Sequence, residues 1–113
     1  MKSKAFFVAK EEKVYPAGEN ITRQFIAYDN DITVVKVMFE KGAVGTIHTH
    51  PHTQGCYVAG GKFEVNIDGE KKILQEGDGF YAEPNIPHGV VCLEKGILID
   101  MFSPCREDFL ATI

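Results

Sequence analysis

From Asp31 onward, short runs of β-branched and aromatic residues alternate with Gly, Pro, Asn and Asp signals at intervals of roughly eight to twelve residues. That rhythm, with no stretch of sustained helical periodicity, predicts an all-β sandwich or barrel. Strands are expected near residues 32–39, 46–50, 54–60, 62–68, 71–74, 79–82, 89–93 and 96–102. Asp68-Gly69 lies between alternating runs and favours a two-residue hairpin turn with positive φ. Gly60-Gly61 marks a tight bend, and Gly77-Asp78-Gly79 introduces the strand Phe80-Tyr81-Ala82. Pro84 and Pro87 bound a loop that delivers His88 to the start of the next strand.

Residues 1–30 carry a weaker pattern. Val14-Tyr15-Pro16-Ala17-Gly18 resembles a turn, and Ile21 to Tyr28 an extended segment. Exposed sheet edges are normally paired or covered, so this arm is expected to add an edge strand, across a homodimer.

At 113 residues the chain forms one domain with a single core, so any function sits inside that core or at a contact between chains. The balance of 12 basic against 16 acidic side chains is mildly acidic, with the cations dispersed. No basic stripe points to nucleic acid or an anionic membrane. The apolar cluster Ala5-Phe6-Phe7-Val8 is interrupted by Lys4 and Lys10 and is too short for a signal peptide or a membrane span. Cys56, Cys92 and Cys105 lie far apart with no C-x-x-C spacing, which argues against a disulfide framework and a thiolate metal site. A reduced, cytoplasmic setting is expected.

The chemistry concentrates in His48-Thr49-His50-Pro51-His52-Thr53-Gln54 and Pro84-Asn85-Ile86-Pro87-His88. If Thr46 to His50 is extended, His48 and His50 leave the same face and can grip one ion. His88 can supply a third nitrogen and Gln54 a neutral carbonyl oxygen. Such a set suits one divalent transition metal, Zn, Ni, Fe or Mn, with coordination positions left for water or substrate. Three neutral imidazoles and a neutral amide leave the charge of the ion uncompensated, so the site would attract an anionic oxygen. His52 follows Pro51 in a turn and is expected to face solvent or to support the ligands. Cys56 and Cys92 are expected to be inert buried thiols.

These motifs resemble those of the cupins. Gly42, His48, His50, Gln54 and Gly61 have the spacing of the first cupin motif, with Gln54 where Glu is usual. Gly77 to His88 resembles the second motif more loosely, since Ile86-Pro87 replaces its middle Gly. The resemblance implies a single-domain cupin, a double-stranded β-helix or jelly-roll barrel, across residues 1–113, with the two motifs in 42–88. The tail Asp100-Met101-Phe102-Ser103-Pro104-Cys105-Arg106-Glu107-Asp108-Phe109-Leu110 is similar to the end of the small cupins of pectin and alginate breakdown, the KdgF type. Cys105 stands where that type would carry a second Pro.

This narrower resemblance implies a metal held by His48, His50, Gln54 and His88. It also implies catalytic roles for Asp100, Phe102 and Arg106, and the opening of 4,5-unsaturated uronates to linear 5-keto-4-deoxyuronate. Asp100 shares a strand face with Leu98 and Phe102, where it either points inward or ends the strand in water. As a base it would take the anomeric proton. Arg106 is either a surface partner of Glu107 or Asp108 or a planar fork for the uronate carboxylate. Phe102 is either core or a stacking wall for a flat sugar. The alternatives are a metal-dependent oxygenase acting on a small organic acid, or a non-catalytic module that binds sugar acids.

Overall fold

The computed structural model describes all residues, Met1–Ile113. Eight strands form one antiparallel sheet: β1 Tyr15–Gly18, β2 Ile21–Tyr28, β3 Thr33–Phe39, β4 Val44–His48, β5 Thr53–Ile67, β6 Glu70–Gln75, β7 Gly79–Ala82 and β8 His88–Ser103. A four-residue helix, α1 Glu107–Leu110, follows. No helix is long and apolar enough to cross a membrane. The sheet runs β1-β2-β3-β8-β5-β6, with β4 added against β8 and β7 against β5.

β5 and β8 pair along their whole length, from Thr53 opposite Ser103 to Ile67 opposite His88. Each corresponds to two strands of the expected pattern. Gly60-Gly61 is therefore not a bend between separate strands. It is an irregularity inside β5, with register shifts between Val58 and Phe63. Inward positions are even before it (Gln54, Cys56, Val58) and odd after it (Phe63, Val65). The inserted residue lets both halves present apolar side chains to one interior. On β8 the even positions Cys92, Leu98 and Phe102 point inward throughout.

The barrel holds two apolar clusters. One gathers Ile21, Phe39, Val58, Phe63, Val65 and Leu98 among others, with Phe39 and Phe63 edge to face at 5.1 Å. The other joins Phe25, Val35, Phe102, Cys105 and Leu110, which ties the C-terminal helix to the sheet. Cys56, Cys92 and Cys105 are all buried free thiols.

The segment that resembles a turn, Val14 to Gly18, instead carries strand β1, because the reversal comes later, at Gly18 (φ 137°) and Asn20 (φ 60°). β1 is an edge strand paired to β2 of its own chain, and the arm before it lies along β2, with Gln24 Nε2 donating to the carbonyls of Ala9 and Glu12. The Asp68-Gly69 turn has the expected positive φ at both residues, 51° and 88°, and Asn66 Oδ1 accepts from the Gly69 amide.

Gly61 (φ +78°) shows why the bend needs glycine: a Cβ there would lie 2.5 Å from Gly96 Cα and 2.5 Å from the Lys95 carbonyl oxygen. Gly61→Ala is expected to cost about 3 kcal/mol or more in urea unfolding, among the larger single-residue effects. Gly55→Ala, whose Cβ would meet only Met101 Cε at 3.6 Å, should stay within about 0.5 kcal/mol of the native chain. Equal costs at the two positions would refute the close-approach account of the bend.

Candidate active site

The fold brings four of the expected donors together by four different local routes. His48 ends β4, opposite His88 at the start of β8. Gln54 opens β5 and is 6 % exposed. His50 is not a continuation of a strand. β4 ends at His48, and the bend through Pro51 turns the buried His50 ring inward. The ligand atoms of His48, His50 and His88 all lie within 4.8 Å of one another.

The backbone sets the tautomer of two of these rings. His48 Nδ1 lies 2.8 Å from the Thr46 carbonyl oxygen, and His88 Nδ1 lies 2.8 Å from that of Ile86. A carbonyl only accepts, so each Nδ1 carries the proton and donates, leaving the Nε2 lone pair free. His88 Nε2 is buried with no partner. A buried nitrogen acceptor left without a donor, facing two other imidazoles, is what a metal ligand looks like before metal binds.

Gln54 is held at both ends. Its Nε2 donates to Asp100 Oδ1 at 3.0 Å, which turns Oε1 toward His50 Nε2 at 2.9 Å. That last spacing is also about the separation of two neighbouring ligands on one ion with bonds near 2.1 Å. The cluster of His48, His50 and His88 could therefore hold a metal ion, with the Gln54 oxygen beside His50.

Asp100 sits opposite Cys56 across the β5–β8 ladder with its carboxylate turned inward. Burial pushes its carboxyl above the ordinary carboxylate range, against the hydrogen bond from Gln54, which favours ionisation. Burial, with the Asp100 charge second, pushes the Cys56 thiol strongly upward. His50 and His88 are held below the ordinary imidazole value, chiefly by burial.

Arg106 is 6 % exposed, and its partner is Asp108. Nε and Nη2 donate to the two Asp108 oxygens at 3.0 and 2.8 Å, which draws the Asp108 carboxyl down to about 2. The guanidinium lies 3.8 Å from the Phe109 ring centre and 4.8 Å from that of Phe102, and Nη1 has no partner. Phe102 is 4 % exposed and packs edge-on against His50 at 5.5 Å and Phe109 at 5.6 Å. His52 is turned partly inward, its ring 5.4 Å from that of His50 and its Nδ1 buried without a partner.

Arg106 separates two openings. One, of about 670 Å³, runs past the β1–β2 turn and Phe109 to His48. The other, of about 590 Å³, reaches His50 and His52. Sequence reasoning did not single out Phe109, and it left Glu107 and Asp108 as equal partners for Arg106. The i,i+2 geometry at the start of α1 decides for Asp108.

Residues 35–101 match the cupin domain family, and the chain belongs to that family. Within it, the chain is 50 % identical over 107 residues to the pectin degradation protein KdgF of Dickeya dadantii (strain 3937), covering 93 % of this chain and 97 % of that protein. The solved structure of KdgF from Halomonas sp. is 41 % identical, with a TM-score of 0.90 over 95 % of this chain and 99 % of that one. An RmlC-like cupin from Shewanella frigidimarina NCIMB 400 is 42 % identical, with a TM-score of 0.93 over 96 % and 97 %.

Two stability effects of opposite sign follow from the titrating groups. His50 and His88 have folded pKa values below the unfolded value of about 6.5, so the unfolded chain binds more protons there. Their contribution is present above that pH and is lost as pH falls through about 6.5 toward the folded values. The metal-free protein should accordingly show a falling urea midpoint below about pH 6.5, and His88→Ala should shallow that fall. Asp100 has a raised folded pKa, so its ionisation opposes folding as pH rises above the ordinary carboxylate range. Asp100→Asn is expected to stabilise the metal-free protein at pH 7 by about 1 kcal/mol, measured by urea unfolding. A loss of stability would show that the buried carboxylate is not strained.

Proposed function

We propose that this cupin opens the ring of 4,5-unsaturated uronate monosaccharides, giving linear 5-keto-4-deoxyuronate in the breakdown of pectin or alginate. The observation that carries the reading is a half-buried carboxylate, Asp100, hydrogen-bonded to the amide of Gln54, whose oxygen adjoins the cluster of three neutral histidines. The 50 % identity to a pectin degradation protein supports the substrate class.

The substrate is a cyclic hemiacetal whose ring oxygen is bonded to C1 and to C5 of a C4–C5 double bond. Opening requires loss of the C1 hydroxyl proton, formation of the C1 carbonyl and cleavage of the bond from C1 to the ring oxygen. The electron pair of that bond leaves as a C5 enolate. In this reading Asp100 accepts the hydroxyl proton, and the resulting acid then returns a proton to C4, which yields the C5 ketone. Burial raises the basicity of Asp100, which suits it to this exchange near neutral pH. A divalent transition ion held by His48, His50, Gln54 and His88 supplies, when bound, Lewis acidity toward a developing oxyanion.

Arg106 uses one N–H of Nε and one of Nη2 on Asp108, which leaves the unpartnered Nη1 and the second N–H of Nη2 for the substrate carboxylate. The Asp108 clamp and the two flanking rings hold the guanidinium still, which reduces the entropy lost when a carboxylate binds. Phe102 backs both Arg106 and His50, which places the cation and the imidazole in fixed relation.

Asp100→Asn should lower kcat by about 10²–10⁴-fold, the usual scale for removing a general base, while elemental analysis finds the metal content unchanged. Turnover is followed by loss of the ultraviolet absorbance of the unsaturated uronate. Full turnover in Asp100→Asn with metal bound would rule out the assignment of the base.

A further inference from the structure

We infer that Arg23 is a positioning residue: through the ring and the carbonyl of Phe109 it fixes where the Arg106 guanidinium stands. The inference rests on Arg106 receiving the substrate carboxylate in the reaction proposed above, and it assigns a role to an arginine that no sequence motif singles out.

Alternation along β2 puts Arg23 between Ile21 and Phe25, which are 6 % and 9 % exposed and belong to the two apolar clusters. A cation at such a position is destabilising unless it is paired. Arg23 forms no ion pair, and its Nε is buried without a partner. Burial, with the Arg106 charge second, holds its guanidinium below the ordinary arginine value. Packing alone would be met by an aliphatic side chain, so the guanidinium is explained by what it touches.

It reaches Phe109 in two ways. Arg23 Cζ lies 4.2 Å from the centre of the Phe109 ring, and Arg106 Cζ lies 3.8 Å from the same centre. Two guanidiniums therefore share one ring, each drawn to its negative π-cloud. Arg23 Nη2 also donates to Thr112 Oγ1 at 3.3 Å, and that hydroxyl donates to the Phe109 carbonyl at 2.6 Å. Arg23 so ties both the ring and the backbone of Phe109 to β2. The Asp108 clamp on Arg106 sits on the same four-residue helix as Phe109, so it moves with that helix and does not by itself fix the guanidinium against the barrel. Phe102 supplies one wall for Arg106 from the sheet. Phe109 supplies the other, and Arg23 orients it.

Proton–nitrogen NMR of the arginine Nε–H groups, on the zinc-loaded full chain, tests the positioning without turnover. The Arg106 Nε–H donates to Asp108, and its resonance is identified by its loss in Arg106→Lys. It should move in Arg23→Met, because the ring beside it is released. No movement would overturn the inference whatever reaction the protein performs. Kinetics then test what the positioning does: Arg23→Met should raise KM for the unsaturated uronate about 10-fold with kcat within about two-fold, the pattern of lost uniform binding. The effect should run through Phe109, so in a Phe109→Leu background the further change Arg23→Met should leave KM within about two-fold. An unchanged KM in Arg23→Met would overturn the positioning role. So would an equal rise in the Phe109→Leu background, which would show the Arg23 charge acting on the substrate directly. If Arg23→Met does not fold, Arg23→Gln takes its place. Absence of uronate turnover in the native protein would instead remove the reaction reading, and the Nε–H shift would still decide whether Arg23 sets Arg106.

Discussion

The pairing of β5 with β8 is the constraint on which the site depends. Its register sets Gln54 opposite Phe102 and Cys56 opposite Asp100, and at its far end it fixes Ile67 opposite His88. Few other features of the chain would survive a slip of one residue. Because side chains alternate faces, a one-residue slip of β5 against β8 would turn Gln54 and Cys56 to the face opposite Asp100 and break the Gln54–Asp100 hydrogen bond. The glycine contact at the bend, where Gly61 and Gly96 meet backbone to backbone, allows two long strands to close around one interior while keeping that register.

Electrostatics then give the interior its character. Burial holds the His50 and His88 imidazoles neutral, and the Gln54 amide oxygen beside His50 carries no charge. The Asp100 carboxylate is kept back behind the Gln54 amide, from which it accepts at 3.0 Å. A Glu at position 54 would place a negative charge beside these imidazoles. Gln54 adds none, and its amide links His50 to Asp100. The same economy governs Arg106, whose pairing with Asp108 sacrifices part of its fork for a fixed position between Phe102 and Phe109.

Much of this was legible in the sequence for physical reasons. Leu98, Asp100 and Phe102 alternate with Ile97, Ile99 and Met101, so one inward face could be read directly. The His and Gln spacing marked the donor set. The division into strands was less readable, because the glycines of a bulge and those of a turn give the same signal. Gly60-Gly61 looks like a tight bend between strands and is instead a site of close backbone approach to Gly96 within a continuous strand. His50 was placed on the extension of a strand that in fact stops at His48; the Pro51 bend, not strand alternation, aims its ring. Helix α1 has four residues, too few for any periodicity. The choice of Asp108 over Glu107 depends on the direction in which that helix starts, which no local pattern encodes.

The central claim is that this arrangement opens an unsaturated uronate ring without dioxygen. The most direct test is loss of the substrate's ultraviolet absorbance under strict anaerobiosis, comparing metal-loaded protein, chelator-treated protein and substrate alone. The account predicts metal-dependent acceleration over the uncatalysed rate. A rate equal to that of substrate alone, with metal shown to be bound, would contradict it.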